Sequence, residues 1–367
     1  MPIDWLDQTR RGVVTVNMVS PQDIDRELGE LEGVDLSGSS LTAGYYTDTR
    51  TSGKLVVHGG GWVRGSFVRL RYSVPEWEWT RELGTYVVTD DDSERSNGEW
   101  VTTLTLQGML KTLATDVAGG LWVVGPGARG RDVIRDILNA RGCKWREDHP
   151  SDAMVGQAVT LESGKSQLER IFAMTSATGN RIDADGHGTI VLSRYVPPAQ
   201  RTPSFEISLT DPRGIAHDGL TRSADWLSMP NRCVVSYNYS ESAGGESVQR
   251  NISASADLPS SDPRSAAQRG YVVSSVRSVN ELNPPTWQNA YQQAKAGLDA
   301  GVELVEWQLT TQFLPVWEGD VVSLVVPDGE ERYRGARKCL VKSVDLALDT
   351  MQMKLTLKET ASGDSEG

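Results

Sequence analysis

Two short motifs in the sequence have the residue types of ligand-binding loops. Gly164-Lys165-Ser166 matches the end of a phosphate-binding loop, in which backbone amides and a lysine surround the phosphates. That loop also needs a glycine five residues before Gly164, where this chain has Val159. Ser166 and Glu169 instead have the spacing of a helix capping box. We therefore expect the start of a helix here and no phosphate site.

The second motif, Asp183-Ala184-Asp185-Gly186, begins like a calcium loop of the EF-hand type. Such a loop needs a carboxylate at its twelfth position, and that position is Arg194. A tight hairpin turn is the favoured interpretation, because Asp and Gly are typical of two- and three-residue β-turns. Asp183 and Asp185 remain as candidate metal ligands.

Other residues that could do chemistry have simpler explanations. Asp90-Asp91-Asp92 could bind a cation but is typical of a solvated acidic loop. Glu76 and Glu78 could form a glycosidase pair, yet they fit better on the exposed face of a strand whose tryptophans pack inward. No GxSxG elbow is present, and no zinc-ligand spacing occurs among the four histidines, His58, His149, His187 and His217. The sequence predicts no catalytic residue, no cofactor and a protein that is not an enzyme.

Composition favours a chain of several small domains. A length of 367 residues predicts two or three domains, and the hydrophobic content of 38% lies somewhat below an average of about 45–50% that also counts glycine. The formal charge of −12 argues against a nucleic-acid binder with a basic patch. No signal-peptide core or long apolar run is present, so synthesis in the cytoplasm is expected. The three distant cysteines are interpreted as free buried thiols: Cys143, Cys233 and Cys339.

Residues 81–116 mark the main change of structure along the chain. Alternation within 85–89 and 101–106 predicts two strands around an acidic loop, 90–98. Leu106, Leu110 and Leu113 then have helical spacing. About seven short strands are expected up to Leu106, with a short helix or turn over Ile24–Leu31. This pattern favours an antiparallel barrel or sandwich for residues 1–106.

Beyond this point helices and strands are mixed. Amphipathic spacing and terminal glycines predict helices at 131–141 and 166–178. A hairpin follows around Ala184–Gly186. We therefore expect a small α+β domain over residues 107–198.

The last part of the chain is again mostly β. Alternating segments in 199–235 and 302–360 are expected to form a second β domain. Residues 236–301 form an insertion whose helix, 285–300, turns Trp287, Tyr291, Ala294 and Leu298 inward. Residues 361–367 are a polar tail. The predicted fold class is mainly β with α+β parts.

Tryptophan is unusually frequent, at eleven residues against four phenylalanines. Exposed tryptophans would suggest a sugar-binding platform. Those in or beside β segments fit better as core or subunit-interface residues, namely Trp62, Trp77, Trp79, Trp226, Trp307 and Trp317.

The order of segments resembles the tail-tip or baseplate hub proteins of long-tailed bacteriophages, a family that includes the N-terminal structural part of tail-associated lysins. The resemblance covers most of residues 4–360 and rests on structural motifs, so it transfers no catalytic residues. The segments that carry it are 4–11 (DWLDQTRR), 40–57, 74–88, 104–116, 183–198 (DADGHGTIVLSRYVPP), 211–235 and 314–326 (LPVWEGDVVSLVV).

The resemblance implies two tube-type β-barrels per chain and a homotrimer, so that three copies form a pseudo-sixfold ring in line with the tail tube. Residues 1–106 would be the first barrel, and 199–235 with 302–360 the second. The implied location is the virion tail tip. The implied partners are the distal tail protein and tail tube, the C-terminus of the tape measure protein, and spike or receptor-binding proteins. Viral DNA would pass through the lumen without specific binding.

The acidic charge agrees with such a channel, because carboxylates on the lumen wall offer no site for phosphate. The sequence ends without a peptidase or muramidase domain, which makes wall-degrading activity doubtful. Two alternatives stay open: a carbohydrate-binding module that recognises a receptor, and a cell-wall hydrolase with an unrecognised carboxylate pair.

Overall fold

A computed structural model describes residues 11–59, 61–156, 158–209, 216–225, 229–243, 246–280, 286–299, 305–326 and 335–360. The expectations for residues 4–10, for residues 211–215, for Trp226 and for the tail 361–367 lie outside these ranges. The fold is mainly β with a few helices, which confirms the predicted class at that level. No helix in the described ranges is long and apolar enough to cross a membrane.

Seven strands precede the first helix, as expected. The segment after β1 is a correction: Ile24 lies in a turn, and the chain then forms β2, which pairs with β1 instead of forming a helix. Leu31 is buried against the sheet at the end of this pairing. The strands are β1 (Val13–Val19), β2 (Glu27–Glu30), β3 (Val34–Gly44), β4 (Thr51–His58), β5 (Phe67–Val74), β6 (Trp79–Ser96) and β7 (Glu99–Gly108).

The acidic segment 90–98 is a second correction, since it is not a loop. β6 continues through it and pairs with β7 as far as Ser96 opposite Glu99. Only Asn97 and Gly98 turn the chain, with φ of 51° and 89°, the conformation of a two-residue hairpin turn. The aspartates therefore lie on an extended hairpin arm.

The middle of the chain has its own core. Ser166 and Glu169 form the expected capping box at the start of α3, and Gly179 ends that helix with φ of 62°. Leu110, Ile134, Ile171 and Leu192 are among the side chains buried together. The elements are α1 (Lys111–Ala114), β8 (Trp122–Val124), α2 (Gly130–Ala140), β9 (Trp145–Asp148), β10 (Val159–Leu161), α3 (Gln167–Thr178), β11 (Asn180–Ala184) and β12 (Ile190–Arg194).

A three-stranded sheet and a helix form a third unit. β15 begins at Arg232, so this strand crosses the boundary expected at residue 235. The helix α5 buries Ala290, Ala294 and Leu298 against this sheet. Trp287 and Tyr291 were expected to face inward but are exposed, because the inward side is filled by these smaller residues. The elements are β15 (Arg232–Ala243), β16 (Glu246–Asp257), α4 (Ala266–Arg269), β17 (Ser274–Asn280) and α5 (Trp287–Asp299).

The remaining strands extend the first sheet. They are β13 (Phe205–Ser208), β14 (Ala216–Ala224), β18 (Val305–Gln312), β19 (Val321–Val326), β20 (Gly335–Ala347) and β21 (Gln352–Glu359). Together with β1–β7 they make one sheet of thirteen strands, with β14-β18-β21-β20-β3-β4-β7-β6-β5-β1-β2 as its main path. Among the described residues this path is open: no pairing joins β14 back to β2.

The pairing of β20 with β3 is the seam between the two halves of the sheet. Leu346 lies opposite Leu41, and Val344 lies opposite Ala43. All four side chains are buried in a core that extends through both halves. The same core confirms the role expected for five tryptophans: Trp307 is buried, and the side chains packed against the core include Trp62, Trp77, Trp79 and Trp317.

Replacing Leu346 by Ala should therefore destabilise the protein by about 2–5 kcal/mol, because it opens a cavity at the seam. The free energy of unfolding in urea measures the effect. Asp345→Ala is the matched control, since this neighbour lies on the exposed face beside Thr42, and it should change stability by less than about 0.5–1 kcal/mol. Equal effects of the two variants would contradict the assignment of the seam to the core.

Candidate functional site

The turn between β11 and β12 docks onto the first half of the sheet. The Asp185 amide donates to the Thr189 carbonyl, and the Gly188 amide donates to the Asp185 carbonyl. An oxygen of the Asp185 carboxylate accepts the Thr189 amide. Gly186 touches Glu82 so closely that a Cβ would lie 2.6 Å from the Cβ of Glu82. Gly188 has φ of 83°, which favours glycine, and packs on Thr85. The DADG motif is thus a tight turn, as favoured, and its glycines permit the docking.

Arg69, on β5, holds this docked turn against the sheet. Its side chain is only 3% exposed, and it donates to the carbonyl oxygens of Ile24 and His187 at 2.5 and 2.9 Å. It also donates to Thr85 Oγ1 at 3.0 Å and to Glu27 at 3.2 Å. Thr85 in turn donates to the Gly186 carbonyl. One buried guanidinium therefore connects β5, β6, the β1–β2 connection and the turn.

The two candidate metal ligands are engaged by arginines. Asp183 accepts bonds from Arg50, at 3.1 Å, and from Arg181. Asp185 lies 3.6 Å from Arg146. Within the described ranges no group of three or more His, Cys, Asp or Glu side chains could hold a metal ion. Their arrangement favours a structural role, and metal binding stays an untested prediction.

Arg181 and Arg50 lie at a joint between three parts of the chain. The Arg181 guanidinium lies 4.3 Å from the centre of the Tyr45 ring. Arg201 donates to the Gly319 carbonyl at 2.8 Å and to the Tyr45 hydroxyl at 3.2 Å. Because these residues come from β11, from the β3–β4 connection and from the turn before β19, the joint connects the α+β domain to both halves of the sheet.

Glu318 is the most unusual group at this joint. One oxygen of its carboxylate is fully buried and has no hydrogen-bond partner in the described part of the chain. Burial raises its pKa to about 8, and repulsion from Asp183 adds to the shift. Burial also raises the pKa of Asp320, whose carboxylate accepts the Trp317 amide at 2.7 Å. The joint thus holds a carboxyl group that is largely protonated at neutral pH.

Two cavities adjoin this carboxyl group. One, of about 240 Å³, lies between β6, the β11–β12 turn and Trp317. The other, of about 590 Å³, opens toward Arg194 and Arg201. Arg181, Asp183 and Glu318 line both. These residues can hold the α+β domain against the sheet, and the charge of Glu318 can change with pH. Among the described residues that line the cavities, no nucleophile is paired with a base.

The other candidate functional residues from the sequence do not lie at this joint. Glu76 lies in a 3₁₀ turn, Pro75–Trp77, and Glu78 follows it with φ of 50°, so the pair is exposed as expected but not on a strand. The aspartates 90–92 lie on the β6–β7 arm. Lys165 pairs with Glu169 at the capping box, so the GKS motif is explained without a phosphate.

Three residues of the docked turn and the joint were not predicted from the sequence. They are Arg69, Glu318 and Asp320, to which the sequence patterns assigned no role. The signal for Arg69 was its place on a strand that has Phe67 on the same face. For Glu318 the only signal was its position between Trp317 and Gly319 in an otherwise apolar segment.

Comparison with solved structures identifies the fold. The 43 kDa tail protein of prophage MuSo2 from Shewanella oneidensis aligns over 95% of this chain and 98% of its own, with a TM-score of 0.63 and 11% identity. A tail protein from Neisseria meningitidis MC58 aligns over 94% and 96%, with a TM-score of 0.63 and 13% identity. This chain has the fold of prophage tail proteins.

A third structure agrees. The prophage tail protein gp18 from Listeria monocytogenes EGD-e aligns over 96% of this chain and 95% of its own, with a TM-score of 0.56 and 11% identity. No family model and no curated protein sequence matches the chain. The tail-protein resemblance inferred from the sequence is therefore confirmed, at the level of the fold.

Replacing Arg69 by Met should destabilise the protein by about 3–5 kcal/mol, because the carbonyl oxygens of Ile24 and His187 lose their buried donor. Arg64→Met is the matched control, since Arg64 is 82% exposed and makes a surface pair with Asp91; its cost should stay below about 1 kcal/mol. Urea unfolding measures both. A small effect at Arg69 would contradict its assigned role.

The protein should lose stability between pH 4.5 and about pH 8 because of Glu318. The folded state holds the proton more tightly than the unfolded state, so the stabilisation is complete below pH 4.5 and is lost as pH rises through the pKa of the folded state. The loss should reach roughly 4 kcal/mol and be absent in Glu318→Gln. Urea unfolding of both proteins at pH 5 and pH 9 measures it; parallel pH profiles would refute the assignment.

Proposed function

We propose that this chain is a structural subunit of a phage tail tip, a hub that forms a homotrimeric, pseudo-sixfold ring continuing the tail tube. The main support is the fold shared with prophage tail proteins over nearly the full length of both chains. In this proposal the chain works without catalysis, in the virion, between the tube and the components at its tip.

The open sheet supports a ring. β2 pairs only with β1, and β14 pairs only with β18, within the described residues. Each strand therefore has a free edge, and a free edge is a template for pairing with another chain. A contact between unlike edges of successive copies is heterologous, and it generates a closed ring when the rotation closes. We propose that β14 of one copy meets the β1–β2 edge of the next.

The proposed partners follow from this position. The ring would contact the distal tail protein and tube on one side, and a spike or receptor-binding protein on the other. The C-terminus of the tape measure protein would reach it through the lumen. Viral DNA would pass without specific binding, because the chain carries a net charge of −12 and like charges repel phosphate.

Cross-linking tests the proposed ring contact. Leu28 on β2 is 44% exposed, and Ser223 on β14 is exposed. A variant carrying Leu28→Cys and Ser223→Cys, treated with a short bis-maleimide, should give covalent species up to the trimer and none larger. A mass three times that of the 40.1 kDa chain should appear in solution.

Each single-cysteine variant and the parent protein are the controls, since Cys143 is only partly buried. None of them should give the trimer. Covalent dimers from Leu28→Cys alone would indicate like edges in contact and contradict the ring. An open-ended ladder from the double variant would indicate a filament and contradict it as well.

A second candidate function is recognition of a carbohydrate receptor. It is favoured by one observation: Trp287, 56% exposed, stacks on Tyr291 at 5.2 Å between ring centroids on the outer face of α5. Exposed aromatic rings are suited to sugar faces. A glycan array with Trp287→Ala as control tests it, and equal signals from both proteins would reject this site.

A further inference from the structure

A third cavity, of about 360 Å³, lies between the β3–β4 connection and the α+β domain. Small-molecule sites have volumes of roughly 300–1,000 Å³ and are frequent where domains meet. Four aromatic residues are among those that line this cavity: Tyr45, Tyr46, Phe172 and Tyr195. Of these, only Tyr45 takes part in the polar joint, so the aromatic lining needs another explanation.

Two of these rings are exposed although their positions are fixed. Tyr46 is 54% exposed and Tyr195 is 42% exposed. The Lys358 ammonium lies 4.9 Å from the centre of the Tyr46 ring and donates to its hydroxyl at 3.3 Å, and the Tyr45 ring packs edge-on against it at 5.0 Å. The backbone of Tyr195 is held by its amide, which donates to the Gly179 carbonyl at 3.0 Å. Fixed aromatic rings offer flat apolar faces to a ligand at a low entropic cost.

Polar groups line the same cavity. Asp48 is exposed, and its carboxylate accepts hydrogen bonds. Arg50 donates through Nε and Nη1 to Asp183 and to the carbonyl oxygens of Tyr45 and Thr47, and its Nη2 has no acceptor among the described residues. A sugar hydroxyl both donates and accepts hydrogen bonds. It therefore suits a carboxylate and a guanidinium placed beside the same aromatic rings.

The charges at this cavity balance. Arg50 and Arg181 line it and share the carboxylate of Asp183, and Asp48 supplies a second carboxylate. Two guanidinium groups thus face two carboxylates, so no excess charge attracts an ionic ligand. Aromatic faces, hydrogen-bonding groups and balanced charge together favour an uncharged sugar over a nucleotide or an anionic glycan.

We propose that this cavity binds an uncharged saccharide, whose ring faces pack on Tyr46 and Tyr195 and whose hydroxyls bond to Asp48 and Arg50. Because Tyr46 belongs to the β3–β4 connection and Tyr195 to the α+β domain, the bound saccharide bridges these two parts of the chain. The site is separate from Trp287, which lies on α5, and it does not depend on the proposed ring.

A glycan array that carries neutral and charged glycans, probed with the full-length protein, tests this site. The wild type should bind neutral glycans, and titration calorimetry with the strongest of them gives its Kd. Tyr46→Ala and Tyr195→Ala should each raise this Kd by roughly tenfold, because each removes one stacking face. Tyr46→Phe keeps the ring and should bind nearly as the wild type does.

The matched control is Tyr271→Ala, which removes a tyrosine of the third unit that is 40% exposed. Its Kd should equal that of the wild type. If Tyr46→Ala does not fold, Tyr195→Ala and Asp48→Ala carry the test, since both side chains are exposed. Asp48→Ala leaves the rings in place and should weaken binding by removing the acceptor.

Four results would overturn the proposal. They are a wild type that binds no neutral glycan, a wild type that binds only sulfated or sialylated glycans, an unchanged Kd in both Tyr46→Ala and Tyr195→Ala, and loss of binding in Trp287→Ala alone, which would place the sugar on α5. A trimeric ring that binds no glycan would reject this site and leave the proposed tail-tip function standing.

Discussion

The pairing of β20 with β3 is the constraint on which the rest of the structure depends. Five residue pairs, from Ser343 with Gly44 to Ala347 with Ser40, join two halves that lie far apart in the sequence. A slip of one residue would turn Leu346 and Val344 out of the core, since side chains alternate along a strand. The seam therefore fixes the register of the sheet, and with it the positions of β2 and β14, the strands at its two edges among the described residues.

The polar joint depends on the same seam. Glu318 and Arg201 come from the second half of the sheet, Tyr45 and Arg50 from the first, and Arg181 from the α+β domain. These contacts form only if the two halves of the sheet are held in the correct relative position, because hydrogen bonds tolerate little change in distance. Arginine suits this task, because its planar fork of donors satisfies several carbonyl and carboxylate oxygens at once. Arg69, with four acceptors on four segments, is the clearest case.

Local features of the chain were predictable from its sequence. The capping box at Ser166, the glycine that ends α3, the alternation at 101–106 in β7 and the DADG turn all follow from neighbours within a few residues. The predictions were wrong where contacts between residues far apart in the sequence determine the structure. Asp90–Asp92 look like a loop, yet β7 holds them in a hairpin. Trp287 looks like a core residue, yet Ala290 and Ala294 take the inward side of α5. The joint could not be predicted, because its three groups of residues, around Tyr45, Arg181 and Glu318, are separated from one another by more than a hundred positions.

The proposed function needs both the fold and its open edges. Within the described residues each copy leaves two sheet edges unpaired, and these edges would be paired when copies meet edge to edge. The net charge of −12 agrees with passage of DNA. Imaging of assembled tail particles that contain this chain, with an added tag for location, tests this account most directly. The account predicts a ring of three copies at the tip of the tail tube. Copies located along the sides of the tail, or a tip without threefold symmetry, would contradict it.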